Sequence, residues 1–234
     1  GRMTPGVSRQ WCGESGKIDN CVVGQHLLYS DNHPTNPLNC ALASDLFLPE
    51  AWSKDRERCR KAHIPDEVRH RPKWRIALHQ LRRAIANGVR FWFTVFDEDY
   101  GKVPAFWFEL DALGQQAIGE VPVNFHVFAK RPACRSQQKA HASKRVDNLC
   151  RFSPLFREQP WQRVTVKEAT RGPMVWEVKM ARVHLVVASP RPSRPTDRQY
   201  ALIVARKVDT GEIKYFISNA AACVPLSDLL TAAF

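Results

Sequence analysis

The order of apolar and polar positions predicts helix, strand, helix and strand over residues 72–130. The first helix, over 72–87, follows from apolar residues at helical spacing: Trp74, Leu78, Leu81 and Ile85. Gly88 stands where a C-cap glycine belongs. The second helix opens at Pro104, with Phe106, Leu110 and Leu113 on one side, and closes at Gly114. The stretch "VPVNFHVFAK" at 121–130 is typical of a buried strand.

Antiparallel hairpins are predicted on both sides of this segment. The stretches 21–30 and 39–50 form one hairpin across "NHPTNP", and a short basic helix or loop follows it. Beyond residue 163, two longer hairpins turn at Gly172-Pro173 and at Asp209-Thr210-Gly211. The stretch 130–163 shows little periodicity and predicts an irregular basic insertion. The pattern as a whole predicts an α/β fold with a mixed sheet.

The run "FWFTVF" at 91–96 ends in three successive acidic residues, Asp97, Glu98 and Asp99. Apolar residues at every position predict a central strand with both faces covered. Ligands of such sheets gather at the carboxyl ends of the strands, where Asp97 stands. A carboxylate on rigid backbone suits Mg²⁺ in phosphodiester chemistry. The alternative is that these acids cap the next helix or solvate a turn.

The net charge of +12 favours polyanionic partners, nucleic acid first and a membrane surface second. Residues 54–83 hold eleven Lys or Arg against four acidic residues, and residues 130–163 hold nine against two. Two such runs favour a surface that binds successive phosphates of a nucleic acid. The alternative is a charged face that is only solvated. No apolar run is long enough to span a membrane. A plain structural or interaction protein stays open as a third class.

Seven cysteines at scattered positions, with no CxxC, favour reduced thiols and a cytoplasmic location. Cys12, Cys21 and His26 fit no common zinc spacing. The stretch "GESGKID" at 13–19 lacks the full spacing of a phosphate loop, and its alternative interpretation is a glycine-rich bend between strands.

Several segments, in order and at family spacing, resemble the DDE superfamily endonuclease domain of bacterial insertion-sequence transposases. They are "GVSRQWCGESGKIDNCVVG" at 6–24, "LFLPEAWSKDRERCRKAHIP" at 46–65, "DEDYG" at 97–101 and "GEIKYFISNA" at 211–220. The resemblance covers nearly the whole chain. It implies a partial ribonuclease-H-like fold, with a core over 1–130 and a basic connector and β-rich insertion over 131–234.

The same resemblance implies DNA transposition with Mg²⁺ held by two aspartates and a glutamate. Asp97 matches the second aspartate and is the one catalytic and metal-binding residue that carries over. The first aspartate is expected before Gly1 and the glutamate after Phe234, so the chain looks like a truncated transposase domain, inactive as given. The alternative is a catalytically dead DNA-binding remnant or regulator.

The implied partner is the double-stranded DNA of transposon ends, without a membrane, and a homodimer is compatible with the intact protein. The basic residues expected to contact its phosphates are Lys130, Arg131, Arg135, Lys139, Lys144 and Arg145. Trp161 or Trp176 could stack on an unpaired base, but a tryptophan in a β-hairpin more often belongs to the core.

Overall fold

Two hairpins and three helices make up the first of two compact units, Gly1–Phe91 and Trp92–Phe234, in the computed structural model. The structure describes residues 4–31, 33, 35–132, 142–169, 172–188 and 193–234. The elements of the first unit are β1 (Ser8–Cys12), β2 (Lys17–Cys21), β3 (Gly24–Ser30), β4 (Asn39–Leu46), α1 (Glu50–Lys54), α2 (Arg56–Lys61) and α3 (Lys73–Ala86).

Each hairpin of the first unit is antiparallel, as predicted for β3 and β4. In the "GESGKID" stretch, residues 13–16 form the turn between β1 and β2 and residues 17–19 begin β2, which confirms the interpretation as a bend between strands. Gly16 has a positive φ there. Helix α3 is fastened to the second hairpin by the buried Gln80. Its Nε2 donates to the carbonyl oxygen of Gln25 at 2.9 Å and to Oδ2 of Asp45 at 2.8 Å.

The second unit is built on one large sheet with helices against it. Its elements are β5 (Thr94–Phe96), α4 (Glu98–Gly101), α5 (Pro104–Ala112), β6 (Ala117–Glu120), β7 (His126–Phe128), β8 (Lys144–Arg145), α6 (Val146–Phe152), α7 (Pro154–Arg157), β9 (Gln162–Ala169), β10 (Gly172–Val187), β11 (Arg194–Pro195), β12 (Tyr200–Lys207), β13 (Ile213–Ser218) and α8 (Leu226–Ala233).

The strand order is β5-β6-β13-β12-β10-β7-β8, and β9 and β11 also pair with β10. Strands β5 and β6 are parallel, whereas the other pairings of this sheet are antiparallel. The predicted α/β class with a mixed sheet is therefore confirmed. So are the two long hairpins, β9–β10 and β12–β13. The turn predicted at Gly172-Pro173 is wrong, because both residues are paired with β9 within β10.

Strand β12 is the centre of the core, because residues 200–205 are all buried. On one face, Tyr200 meets the ring of Trp107 in α5. On the other face, Ile203 packs in a cluster with Leu229 and Leu230 of α8. A strand with both faces covered needs apolar residues at every position, and the sequence "YALIVA" supplies them.

Three predictions about individual elements are wrong. Strand β5 lies at the edge of the described sheet rather than at its centre, and Val95 is 50% exposed. The parallel partner of β5 is β6, whereas the later β7 pairs antiparallel with β10. The stretch 130–163 is not wholly irregular, because it contains α6 and α7. For the two strands, the apolar pattern indicates a strand without saying which neighbour it pairs with.

The apolar face predicted for α3 is correct in part. Leu78 and Leu81 are buried, as are Ile76 and Ala84, but Ile85 is exposed. The buried face is therefore rotated from the predicted one. The proposed division of the chain at residue 130 stays a prediction about domain organisation. The two compact units of the structure divide between Phe91 and Trp92. Within the described ranges, no helix combines the length and the apolarity that crossing a membrane requires.

Truncation of Ile203 tests the assignment of β12 as the centre of the core. We expect Ile203→Ala to lower the free energy of unfolding by about 2–5 kcal/mol, because it leaves a cavity in a fully buried site. The measurement is equilibrium denaturation in urea. Ile213→Ala removes the same atoms from a side chain that is 48% exposed, and it should cost less than about 1 kcal/mol. Equal losses in the two variants would contradict the assignment.

Candidate functional site

Asp97 stands directly after β5 and is the N-cap residue of the short helix α4. Its backbone is extended, and its Oδ1 accepts the backbone N–H of Asp99 at 3.0 Å. The side chain is exposed. No hydrogen bond to its second carboxylate oxygen comes from the described residues. The carboxylate is thus fixed through one oxygen and presents the other to solvent.

The turn that carries Asp97 depends on a close approach of α4 to β6. A Cβ atom at Gly101 would overlap the carbonyl oxygen of Glu120, so this position requires glycine. Trp107 donates its Nε1–H to the carbonyl oxygen of Gly101 at 2.9 Å, which links α5 to the end of α4. The two contacts hold the short helix against the sheet and so determine the place of its N-cap residue.

The residue before Asp97 is fixed by aromatic packing. The ring of Phe96 lies 5.0 Å from that of Phe106 and 4.9 Å from that of Trp107, both edge to face. Its other side rests on Gly119 of β6, where a Cβ would overlap the ring. Asp97 therefore follows a residue that is held on two sides.

The remaining acidic residues of the "DEDYG" stretch belong to the helix and its solvated surface. Glu98 and Asp99 are exposed in the first turn of α4. Asp99 accepts a hydrogen bond from Nζ of Lys102 at 2.6 Å, and this bond raises the pKa of Lys102. Burial, together with the charges of Asp97 and Asp99, raises the pKa of Tyr100 to about 12, so its phenol stays protonated at neutral pH.

The carboxylate of Asp97 has the donor chemistry that a divalent metal prefers. An exposed carboxylate oxygen on a fixed turn suits Mg²⁺, which prefers oxygen ligands. Among the described residues, however, no group of three or more His, Cys, Asp or Glu side chains could hold an ion together. That result covers Cys12, Cys21 and His26 as well as Asp97. Among the described residues, Asp97 therefore has no set of partners that would form a metal centre.

Four of the six predicted DNA-contacting residues lie in the described part of the chain, and all four are exposed: Lys130, Arg131, Lys144 and Arg145. Arg135 and Lys139 fall in 133–141, outside the described residues. Lys130 and Lys144 line one cavity of about 530 Å³ beside α7, which brings these two together. Arg131 lines a different cavity, so the structure does not gather the whole set in one site.

Two of these four cations are engaged by acidic neighbours. Arg131 forms an ion pair with Asp197. Arg145 donates from Nε to Oδ1 of Asp147 at 3.1 Å and from Nη2 to Oδ2 at 2.6 Å. Within the described ranges, Lys130 and Lys144 have no ion-pair partner. They are the cations of this set with the most charge available for a phosphate.

The two tryptophans considered for base stacking have different environments. Trp176 is buried, and its ring lies 4.5 Å from that of Phe234. Trp161 is half-buried, with the ammonium of Lys179 4.8 Å and the guanidinium of Arg206 4.5 Å from its ring. Trp176 is thus a core residue, and Trp161 already has cations against its ring.

A polar cluster around Asp111 was missed by the sequence reasoning. Asp111 Oδ1 accepts from Nδ2 of Asn219 at 2.8 Å and forms an ion pair with Nη1 of Arg198 at 3.2 Å. Its Oδ2 accepts the hydroxyl of Tyr200. Asn219 also accepts the backbone N–H of Ala117 at 2.7 Å. The Ser-Asn pair that ends "GEIKYFISNA" was the one available signal, and nothing in the spacing connects it with Asp111.

Comparison with known families identifies the class of protein. The family model of the DDE superfamily endonuclease matches residues 1–173 of the 234-residue chain. The chain belongs to this family, as the resemblance of its motifs predicted. The mixed α/β sheet with its helices is consistent with the ribonuclease-H-like fold of such enzymes. No curated protein matches the sequence.

Membership in the family implies a nuclease- or transposase-like function that acts on DNA, and such nucleases generally use divalent metals. The matched range includes Asp97 and Gly101, and it ends at the start of β10. The hairpin of β12 and β13, with the Asn219 contact, lies beyond it.

Substitution of Gly101 tests how the Asp97 turn is held. We expect Gly101→Ala to lower the free energy of unfolding by about 1–3 kcal/mol, because α4 must move away from the Glu120 carbonyl oxygen. Chemical denaturation followed by circular dichroism measures the change. Gly13→Ala is the matched control, since a Cβ there meets open space. A variant as stable as the control would show that the close approach is not needed.

Proposed function

We propose that this chain is part of a DNA transposase catalytic domain of the insertion-sequence type, in which Asp97 is the catalytic carboxylate that binds a divalent metal. The observation that carries the proposal is the position of Asp97, directly after β5 and at the N-cap of α4, within the range matched by the endonuclease family. The oxygen that faces solvent is the one available for Mg²⁺.

In the intact family, divalent ions stabilise the attacking and leaving oxygens of phosphodiester cleavage. Such a centre needs further ligands, and among the described residues no group of three or more His, Cys, Asp or Glu side chains could hold an ion. We therefore expect the chain as given to bind DNA without cutting it. The division into a core over 1–130 and an insertion over 131–234 belongs to this proposal.

The proposed DNA surface is formed by Lys130, Arg131, Lys144 and Arg145, with Arg135 and Lys139 as further predicted contacts. The net charge of +12 supplies the sequence-independent attraction to duplex DNA. Contacts from Lys and Arg to phosphates fix the position of a duplex and do not read its sequence. The ends of the transposon are the proposed specific substrate, and a homodimer of the intact protein is compatible with it.

A catalytically dead DNA-binding remnant or regulator is the second candidate. The observation that favours it is again the single carboxylate of the candidate site. Both candidates bind DNA, so binding alone does not separate them. Metal-dependent cleavage does.

Cleavage of supercoiled plasmid with Mg²⁺ or Mn²⁺ tests the proposed role of Asp97. For the chain as given, we expect no nicking above background, because one ligand does not hold a two-metal centre. For a chain extended at both ends to restore an upstream aspartate and a downstream glutamate, we expect metal-dependent nicking that Asp97→Asn lowers at least about 100-fold. Nicking by the extended chain that survives Asp97→Asn would exclude the catalytic role. Asp99→Asn is the matched control.

The salt dependence of duplex binding tests the phosphate contacts. We expect Lys144→Ala to weaken binding to any duplex sequence and to reduce the slope of log K against log salt by about 1, because one phosphate contact is lost. Fluorescence anisotropy of a labelled duplex at several salt concentrations measures both. The control is Lys54→Ala, whose ammonium pairs with Glu50 at 2.8 Å. Equal slopes for Lys144→Ala and the native chain would remove Lys144 from the DNA surface.

A further inference from the structure

A cavity of about 630 Å³ lies between α5, the short strand β11 and the start of β12. The role proposed for Asp97 does not use it. Its lining combines three guanidinium groups, from Arg131, Arg194 and Arg198, with apolar side chains that include Phe108 and Pro195. Asp111 and the buried Tyr200 also line it. A cavity with cations, apolar walls and a carboxylate has the chemistry of a site for a small organic anion.

The three arginines of the cavity differ in how strongly they are held by other groups of the protein. Arg198 is bound to Asp111 at 3.2 Å and also donates to the carbonyl oxygen of Asn219, so it is part of the fold. Arg131 pairs with Asp197, whose side chain is 86% exposed, and such an ion pair contributes little in water. Arg194 has no ion-pair partner within the described ranges. Arg131 and Arg194 are therefore available for a phosphate, which guanidinium groups bind with two parallel hydrogen bonds.

The Asp111 carboxylate has one open position for accepting a hydrogen bond. Asp111 Oδ1 accepts from Asn219 and forms an ion pair with Arg198, whereas Oδ2 accepts the Tyr200 hydroxyl and no second donor from the described residues. A carboxylate oxygen can accept two hydrogen bonds. Burial is the main reason that the pKa of Tyr200 is raised, with the hydrogen bond to Asp111 second, so its hydroxyl remains a donor. The open position of Oδ2 suits an amino group.

We propose that this cavity binds a single nucleotide, with its phosphate on Arg131 and Arg194, its ring against Phe108 and Pro195, and an amino group of the base on Asp111. Adenine, cytosine and guanine carry an exocyclic amino group. Thymine does not, and its one ring N–H lies between two carbonyl oxygens that a carboxylate repels. The nucleotide is either free or an unpaired nucleotide of DNA, and the second source rests on the DNA-binding function proposed above.

Calorimetric titration of the whole chain with deoxyadenosine 5′-monophosphate tests the site. We expect it to bind at least about tenfold more tightly than deoxyribose 5-phosphate, inorganic phosphate or thymidine 5′-monophosphate, because these lack the amino group or the ring. Arg194→Ala should weaken binding about tenfold, because it removes a charged hydrogen bond. Arg157→Ala is the matched control, since Arg157 is an equally exposed arginine that does not line the cavity.

Asp111→Asn separates recognition of the base from attraction of the phosphate. This variant keeps the shape of the side chain and removes its charge. We expect the preference for deoxyadenosine 5′-monophosphate over deoxyribose 5-phosphate to disappear, while deoxyribose 5-phosphate itself binds no more weakly than before. A preference that survives this variant, or equal effects of Arg194→Ala and Arg157→Ala, would overturn the proposal. So would a nucleotide that binds no more tightly than inorganic phosphate.

Two DNA probes distinguish the sources. Tighter binding of a duplex with one unpaired adenine than of the fully paired duplex, reduced by Arg194→Ala, assigns the site to DNA. Binding of the free nucleotide without such a difference assigns it to a free nucleotide and leaves duplex binding through Lys144 unaffected. Failure of the nucleotide titrations therefore does not count against the proposed role of Asp97.

Discussion

The close approach of α4 to β6 is the constraint on which the candidate site depends. A helix of four residues has too few hydrogen bonds to be stable by itself. It persists because Gly101 allows contact with the Glu120 carbonyl oxygen and because Trp107 donates to the Gly101 carbonyl oxygen. The carboxylate of Asp97 is positioned by this packing and by the backbone N–H of Asp99, which its Oδ1 accepts at 3.0 Å.

The acidic side chains near the two ends of α5 have different environments. Before its start, the exposed acidic turn at 97–99 offers oxygen ligands to a cation. Near its end, Asp111 is enclosed by Asn219, Tyr200 and Arg198, and its charge is compensated within the fold. Two carboxylates of the same helical region thus have different chemistry. Asp97 is exposed to solvent, and Asp111 stabilises the junction of α5 with β13 and β12.

Much of the fold followed from the sequence where the signal is local. Helices α3 and α5, the β3–β4 hairpin and the two long hairpins were predicted from periodicity and from turn residues, and Asp97 was found at a strand end. The pairing of strands could not be predicted from local sequence. The sequence "FWFTVF" is as apolar as "YALIVA", yet Val95 is half exposed and residues 200–205 are buried. The tertiary arrangement alone determines which apolar strand has neighbours on both sides. The Asp111–Asn219 bond joins residues 108 positions apart, beyond the reach of any spacing rule.

The bond from Asn219 to the backbone of Ala117 has a consequence for folding during synthesis. Strand β6 pairs on one edge with β5, which lies nearby in the sequence. Its other edge pairs with β13, and the Asn219 side chain accepts the backbone N–H of Ala117 across 102 residues. Contacts of such sequence separation are slow to form. The ribosome must therefore release most of the second unit before the sheet that supports Asp97 is complete. Until then, the backbone N–H and C=O groups on that edge of β6 are unpaired and open to pairing with other chains, which favours aggregation of the incomplete unit.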